Sequence, residues 1–188
     1  MSFRSFVLAA CLTLFGCSRP AQTNLPPAVP AGASSLPAAA LPVQISGPAW
    51  TAQLPVGWVS VPPPDKEPPN TCEAAGKSLR LIGMIPMFFI VNSTTWDETK
   101  HGSIDRFPVT AAIRLESSAL SLKSRTASFA GEHAVVSVGS LMNGMAVMQV
   151  AAAHNGRGYV LRCAGDPDKT VDIVARCMAI WSSFKFKE

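Results

Sequence analysis

The sequence is poor in charge. Asp, Glu, Lys and Arg make up 15% of its 188 residues, against roughly 25% in an average soluble domain. The 16 Lys+Arg and 12 Asp+Glu leave a net charge of +4. That balance excludes a strongly basic nucleic-acid arm and a strongly acidic tail, so no nucleic-acid partner is expected. No apolar run reaches the ~18 residues of an ordinary transmembrane helix. Catalytic signatures are equally scarce. There is no Gly-x-Ser-x-Gly elbow, no Ser-x-x-Lys and no Cys-x-x-Cys, and no glycine-rich phosphate loop opens a helix. Gly139-Ser140 falls within a strand pattern, where a nucleophile elbow does not form. His101, His133 and His154 lack the spacing of metal ligands. His133 reads as a surface pair with Glu132, and His154, before a turn, as exposed. The acidic pairs Asp97/Glu98 and Asp166/Asp168 read as solubility and capping residues. No catalytic residue, metal ligand or cofactor is therefore expected, and the chain does not read as an enzyme.

What is present begins with an address. Arg4 precedes Phe6–Phe15 (FVLAACLTLF), a ten-residue run that is apolar apart from Thr13. That length suits the core of a signal peptide and is too short to span a bilayer. Leu14-Phe15-Gly16-Cys17 follows and resembles the lipobox of bacterial lipoprotein signal peptides, with Leu14, Gly16 and Cys17 at the matching places. The resemblance implies cleavage after residue 16 and acylation of Cys17, and hence attachment to a lipid bilayer. Each buried acyl CH₂ contributes about 0.8 kcal/mol, and more than one chain is needed for stable anchorage. Ser18, where inner-membrane retention usually requires Asp, implies a cell-envelope lipoprotein of the outer membrane facing the periplasm.

Residues 17–45 then form a lipidated cysteine and a tether. Ser18–Ile45 contains six prolines, seven alanines, no aromatic residue and only Arg19 as a charge. Such a segment cannot bury enough apolar surface to offset its ordering entropy. It is expected to be disordered, with stretches of semi-stiff polyproline II, and dispensable for folding.

Residues 46–188 are close to the commonest domain size. Ala49–Val61 alternates around a Pro-Val-Gly-Trp corner and predicts two short strands. Pro62–Asn70 holds five prolines and reads as a loop. Lys77–Asn92 is the most apolar stretch, and Pro86 divides it into two strand segments or bulges one. Ser93–Gly102 reads as a loop. Ile104, Phe107, Ala111, Ala112 and Leu115 recur at helical spacing, predicting a helix from Ser103 or Phe107 to Ala119 with Pro108 in its first turn. Strands resume at Ser121. Asn143-Gly144 and Asn155-Gly156 mark a meander of hairpins, the second with the slightly longer turn. A last helix, opened by Asp166, Pro167 and Asp168, places Val174, Cys177, Met178 and Trp181 on one face. The class is α+β, an antiparallel sheet packed by helices.

Four short motifs add a family reading. Leu54-Pro55-x-Gly57-Trp58, Phe129-x-Gly131, Asn155-Gly156-Arg157-Gly158-Tyr159 and Ser182/Ser183-Phe184 lie in the order seen in bacterial domains with a PsbP-like fold, which this region resembles over nearly all of residues 50–187. The resemblance implies an α/β/α sandwich and binding or assembly work. A long proline loop after Trp58 and the set of cysteines depart from it.

Three cysteines remain once Cys11 leaves with the signal and Cys17 serves as anchor. Cys163 shares a strand face with Tyr159 and Leu161, and Cys177 lies among the inward positions of the last helix, so the two can meet in an oxidising compartment. The rival pairing joins Cys72 to either. Met84, Met87, Phe88 and Phe89, with Trp96, would form an adaptable interaction surface if exposed, and core strand if buried. The functional reading is a membrane-tethered periplasmic binding or assembly module partnered by an envelope protein, the alternative being a small envelope enzyme with a dispersed site. A deep pocket with convergent polar groups would favour the enzyme.

Overall fold

The computed structural model describes residues 42–63, 70–81, 86–166 and 170–188, all within the compact unit Pro37–Glu188. Its first strand, β1 (Val43–Gly47), pairs antiparallel with β2 (Trp50–Leu54). Beyond the Pro-Val-Gly-Trp corner, where Gly57 takes φ +84°, runs β3 (Trp58–Val61). The apolar stretch around Pro86 forms the antiparallel pair β4 (Asn70–Leu81) and β5 (Pro86–Thr95). A short helix, α1 (Glu98–His101), interrupts the predicted loop; Asp97 caps it by accepting from the Thr99 amide. A 3₁₀ turn at Ile104–Arg106 leads into α2 (Phe107–Glu116), with Pro108 in its first turn. The meander follows as β6 (Ala119–Phe129), β7 (Glu132–Leu141), β8 (Ala146–His154) and β9 (Arg157–Gly165). The chain closes with α3 (Thr170–Ser182) and the two-residue β10 (Lys185–Phe186). Pro167 and Asp168 lie outside the described residues. No helix of the described residues is long and apolar enough to cross a membrane.

The strands form a large sheet, β3-β4-β5-β9-β8-β7-β6, and a small one, β1-β2-β10, antiparallel throughout. The helix α2 packs on one face of the large sheet, and α3 packs on the other beside β2. This is the α+β class and the α/β/α layering that the resemblance implied. Alternation assigns the faces. Tyr159, Leu161 and Cys163 of β9 join the main core under α3, while Val160 turns to Phe107 and Ala111 of α2. Residues 146–152 of β8 are buried on both faces, so this strand reads as an apolar run interrupted only by Gln149.

Two local expectations are revised. The hairpin turns are the reverse of the lengths expected. Asn155 (φ 47°) and Gly156 (φ 72°) alone join β8 to β9, the two left-handed residues of a tight two-residue turn. The Asn143-Gly144 turn is the longer one. There the Gly144 amide donates to Leu141 O and the Leu141 amide to Met145 O, a type I turn followed by a glycine bulge.

The boundary at Ser46 also falls inside a strand. β1 starts at Val43, and Ile45 is buried in the main core against the small sheet. Composition hides this, because three strand residues sit at the end of a Pro/Ala-rich run. A chain beginning at Pro42 should keep the full melting temperature. One beginning at Ser46 should lose about 2 kcal/mol from Ile45 burial alone, or about 6 °C in Tm. Equal melting of the two by calorimetry would show that β1 contributes nothing.

Candidate functional site

The sequence-selected surface residues do not come together. Met87 and Phe89 are fully buried in the main core, because strand alternation turns them toward α3. Phe88, between them, points to the opposite face and is exposed. Trp96 is half-buried. Its indole N–H donates to Gly102 O at 2.7 Å, and its ring packs edge-on against Phe107. Met84 lies outside the described residues, as does Cys17. The Met84–Phe89 stretch therefore supplies core, with Phe88 its one exposed member among the described residues.

Cys163 and Cys177 are joined by a disulfide, with Cα atoms 6.2 Å apart, and Cys72 is a free buried cysteine. Cys72 Sγ–H donates to Ala74 O at 3.5 Å. Burial pushes this thiol above its ordinary range, and the charge of Glu73 adds to the effect, so it stays protonated rather than nucleophilic. His154 is not the exposed residue expected. It pairs with Glu132 at 2.7 Å and stacks on Phe186 at 4.1 Å, leaving His133 exposed.

A hollow of about 590 Å³ lies where the small sheet meets the large one, lined by Ser46, Pro48, Pro63, Cys72, Glu73 and Tyr159 among others. Its Glu73 and Arg157 are engaged by neighbouring side chains. The Trp50 indole N–H donates to Glu73 Oε2. Ser93 Oγ donates to Glu73 Oε1 at 2.6 Å, and Arg157 Nη2 donates to Ser93 Oγ at 2.9 Å. Burial raises the Tyr159 phenol, with Glu73 adding to the shift. This network ties β2 to β4, β5 and β9, and both carboxylate oxygens of Glu73 are engaged. Its chemistry is cross-linking between layers.

A second concave surface runs beside α3. The disulfide pins α3 over β9, and the helix packs on β8 and β9. The large sheet continues past it to β7 and β6, and that part of the face forms two adjoining hollows of about 360 and 380 Å³. Val136, Val138, Met148, Val174, Met178 and Trp181 line them. Lys123 and Arg125, exposed on β6, form one edge, and no carboxylate of the described residues lines either hollow. Two of the apolar residues are methionines, whose side chains adapt to varied partners. Sequence reading missed this groove because its residues come from three strands and a helix. The one local signal is Lys123, Arg125 and Ala127 at alternate positions, a polar edge strand whose inner face becomes visible only when paired with Val136 and Val138.

The fold is similar to that of two solved structures. One is LpqN, involved in cell envelope biogenesis of Mycobacterium tuberculosis, at 15% identity and a TM-score of 0.50, covering 79% of this chain and 90% of that one. The other is the cyanobacterial PsbP (CyanoP) of Synechocystis sp. PCC 6803, at 14% identity and a TM-score of 0.47, covering 84% of this chain and 99% of that one. No family model matches the sequence, and no curated protein does. The likeness to LpqN is one of fold alone, an α+β sandwich with an antiparallel sheet at its centre.

Proposed function

We propose that this chain is a non-catalytic binding or assembly module of the cell envelope, held to the outer membrane by acylated Cys17 and set off from it by the Pro/Ala tether. The observation that carries the reading is the apolar groove beside α3. It is open, lined by adaptable side chains and edged by two cations, as suits an apolar segment flanked by acidic residues on an envelope protein. Two further features support it. The one free thiol among the described residues is held protonated, and the Glu73 carboxylate in the hollow between the sheets is committed to internal hydrogen bonds.

In-cell photo-crosslinking of the full chain tests the proposal. A crosslinking residue at Met178, in the groove, should trap an envelope protein. One at Val109, exposed on α2 across the sheet, should not. Arg125→Glu should abolish the Met178 adduct, and Cys17→Ala should move the chain out of the membrane fraction and abolish it too. Identical adducts at both positions, or none at Met178, would overturn the groove. Normal processing and membrane retention of the Cys17 variant would overturn the anchor.

A further inference from the structure

On the face opposite the groove, a cavity of about 120 Å³ opens between α2 and the large sheet. Asn92, Thr110, Arg114, Gln149 and Arg162 line it, with no carboxylate among the described residues that line it. Arg162 lies opposite Gln149 in the β8–β9 register. Its Nε and Nη2 both donate to Gln149 Oε1, at 3.1 and 2.7 Å. Gln149 is fully buried, and its Nε2 donates in turn to Ala111 O of α2 at 3.4 Å. The guanidinium is thus held in one orientation by a neutral group. Neither Arg162 nor Arg114 has an ion-pair partner among the described residues.

This arrangement is costly if nothing enters the cavity. A largely buried guanidinium is disfavoured unless its charge is compensated, and burial pushes Arg162 below the ordinary arginine range. Glutamate at 149 would neutralise Arg162 internally. Glutamine orients it and leaves its charge available. Guanidinium is the side chain whose planar donors match an oxyanion in bidentate fashion.

We infer that the cavity between α2 and the sheet is a binding site for a single phosphate-class oxyanion, held between Arg114 and Arg162. Charge selects that class, and size admits it. Two cations match the roughly −1.5 to −2 charge of a phosphate monoester better than one carboxylate. A volume of about 120 Å³ takes one tetrahedral group. The same group could arrive as free phosphate or as the phosphomonoester of a lipid head group.

Titration calorimetry of the full chain at constant ionic strength decides it, using inorganic phosphate and, separately, glycerol 3-phosphate as a soluble monoester lipid head group. Saturable binding of either supports the site, and the tighter of the two names the source. Arg114 is exposed, so Arg114→Gln should leave melting in chloride unchanged while weakening binding about tenfold or more. Gln149→Glu, which supplies the missing carboxylate, should abolish binding. Arg162→Gln should do the same if it folds. No saturable binding of either anion by the wild-type chain, or equal affinity in the Arg114→Gln variant, would overturn the inference.

Discussion

Reducing the Cys163–Cys177 bond should lower the stability of the oxidised protein by about 3 kcal/mol, the chain-entropy value for a closed loop of about 15 residues. For a domain of this size that is about 10 °C in Tm. The two cysteines are 14 residues apart and both are fully buried. Cys163 lies between Phe89 and Met148 in the sheet register, and Cys177 belongs with Ile173, Ile180 and Trp181 to the buried face of α3. The double variant Cys163→Ala/Cys177→Ala should fall further than the reduced wild type, because it also removes two buried sulfurs and leaves a cavity. Calorimetry with and without reductant separates the two effects. Equal Tm before and after complete reduction would show that the bond carries no stability. There is a functional corollary. The bond fixes α3 over β9, so reduction should also weaken crosslinking from Met178.

The disulfide was legible because both of its ends follow simple periods. Alternation put Cys163 inward with Tyr159 and Leu161, and helical spacing put Cys177 inward with Trp181. The same alternation settles the Met84–Phe89 stretch, but only once the faces of the large sheet are known. Composition alone does not distinguish an apolar strand covered on both sides from one exposed on a side. β1 was missed for a different reason. A five-residue strand with one buried side chain, Ile45, has too few positions to show a period against the proline-rich run before it.

The polar sites were less legible still. Glu73 looks like an isolated acid in an alanine-rich strand, Ala74 and Ala75 following it. Its donors Trp50 and Ser93, and Arg157, which donates to Ser93, come from three other strands, and no local pattern links them. Gln149 and Arg162 are 13 residues apart and meet only because a two-residue turn sets the β8–β9 register. Reading that turn as longer would shift the register, and a one-residue slip moves every side chain to the other face.

Trp50→Ala should be the most damaging single substitution in the small sheet, costing about 3–5 kcal/mol out of a total stability of about 5–15 kcal/mol. Trp50 is fully buried on β2, and its ring stacks on Phe184 with centroids 5.1 Å apart. Its indole N–H is one of the two donors to Glu73, so truncation both opens a cavity and leaves a half-buried carboxylate oxygen short of a partner. Gly47 leaves the room this contact needs. A Cβ there would lie 2.2 Å from Trp50 Nε1 and 2.6 Å from Glu73 Oε2. Trp50→Phe separates the two losses. It keeps most of the packing and removes only the donor, for an expected cost of about 1–3 kcal/mol. Gly47→Ala should resemble Trp50→Phe, since it displaces the indole from the carboxylate while leaving the aromatic stack. Urea unfolding of the three variants should therefore rank Trp50→Ala as the least stable, with the other two between it and the wild type. If Trp50→Phe and Gly47→Ala both unfold with the wild type, the Glu73 link contributes nothing, and the small sheet is held by apolar packing and the β1–β2 pairing alone.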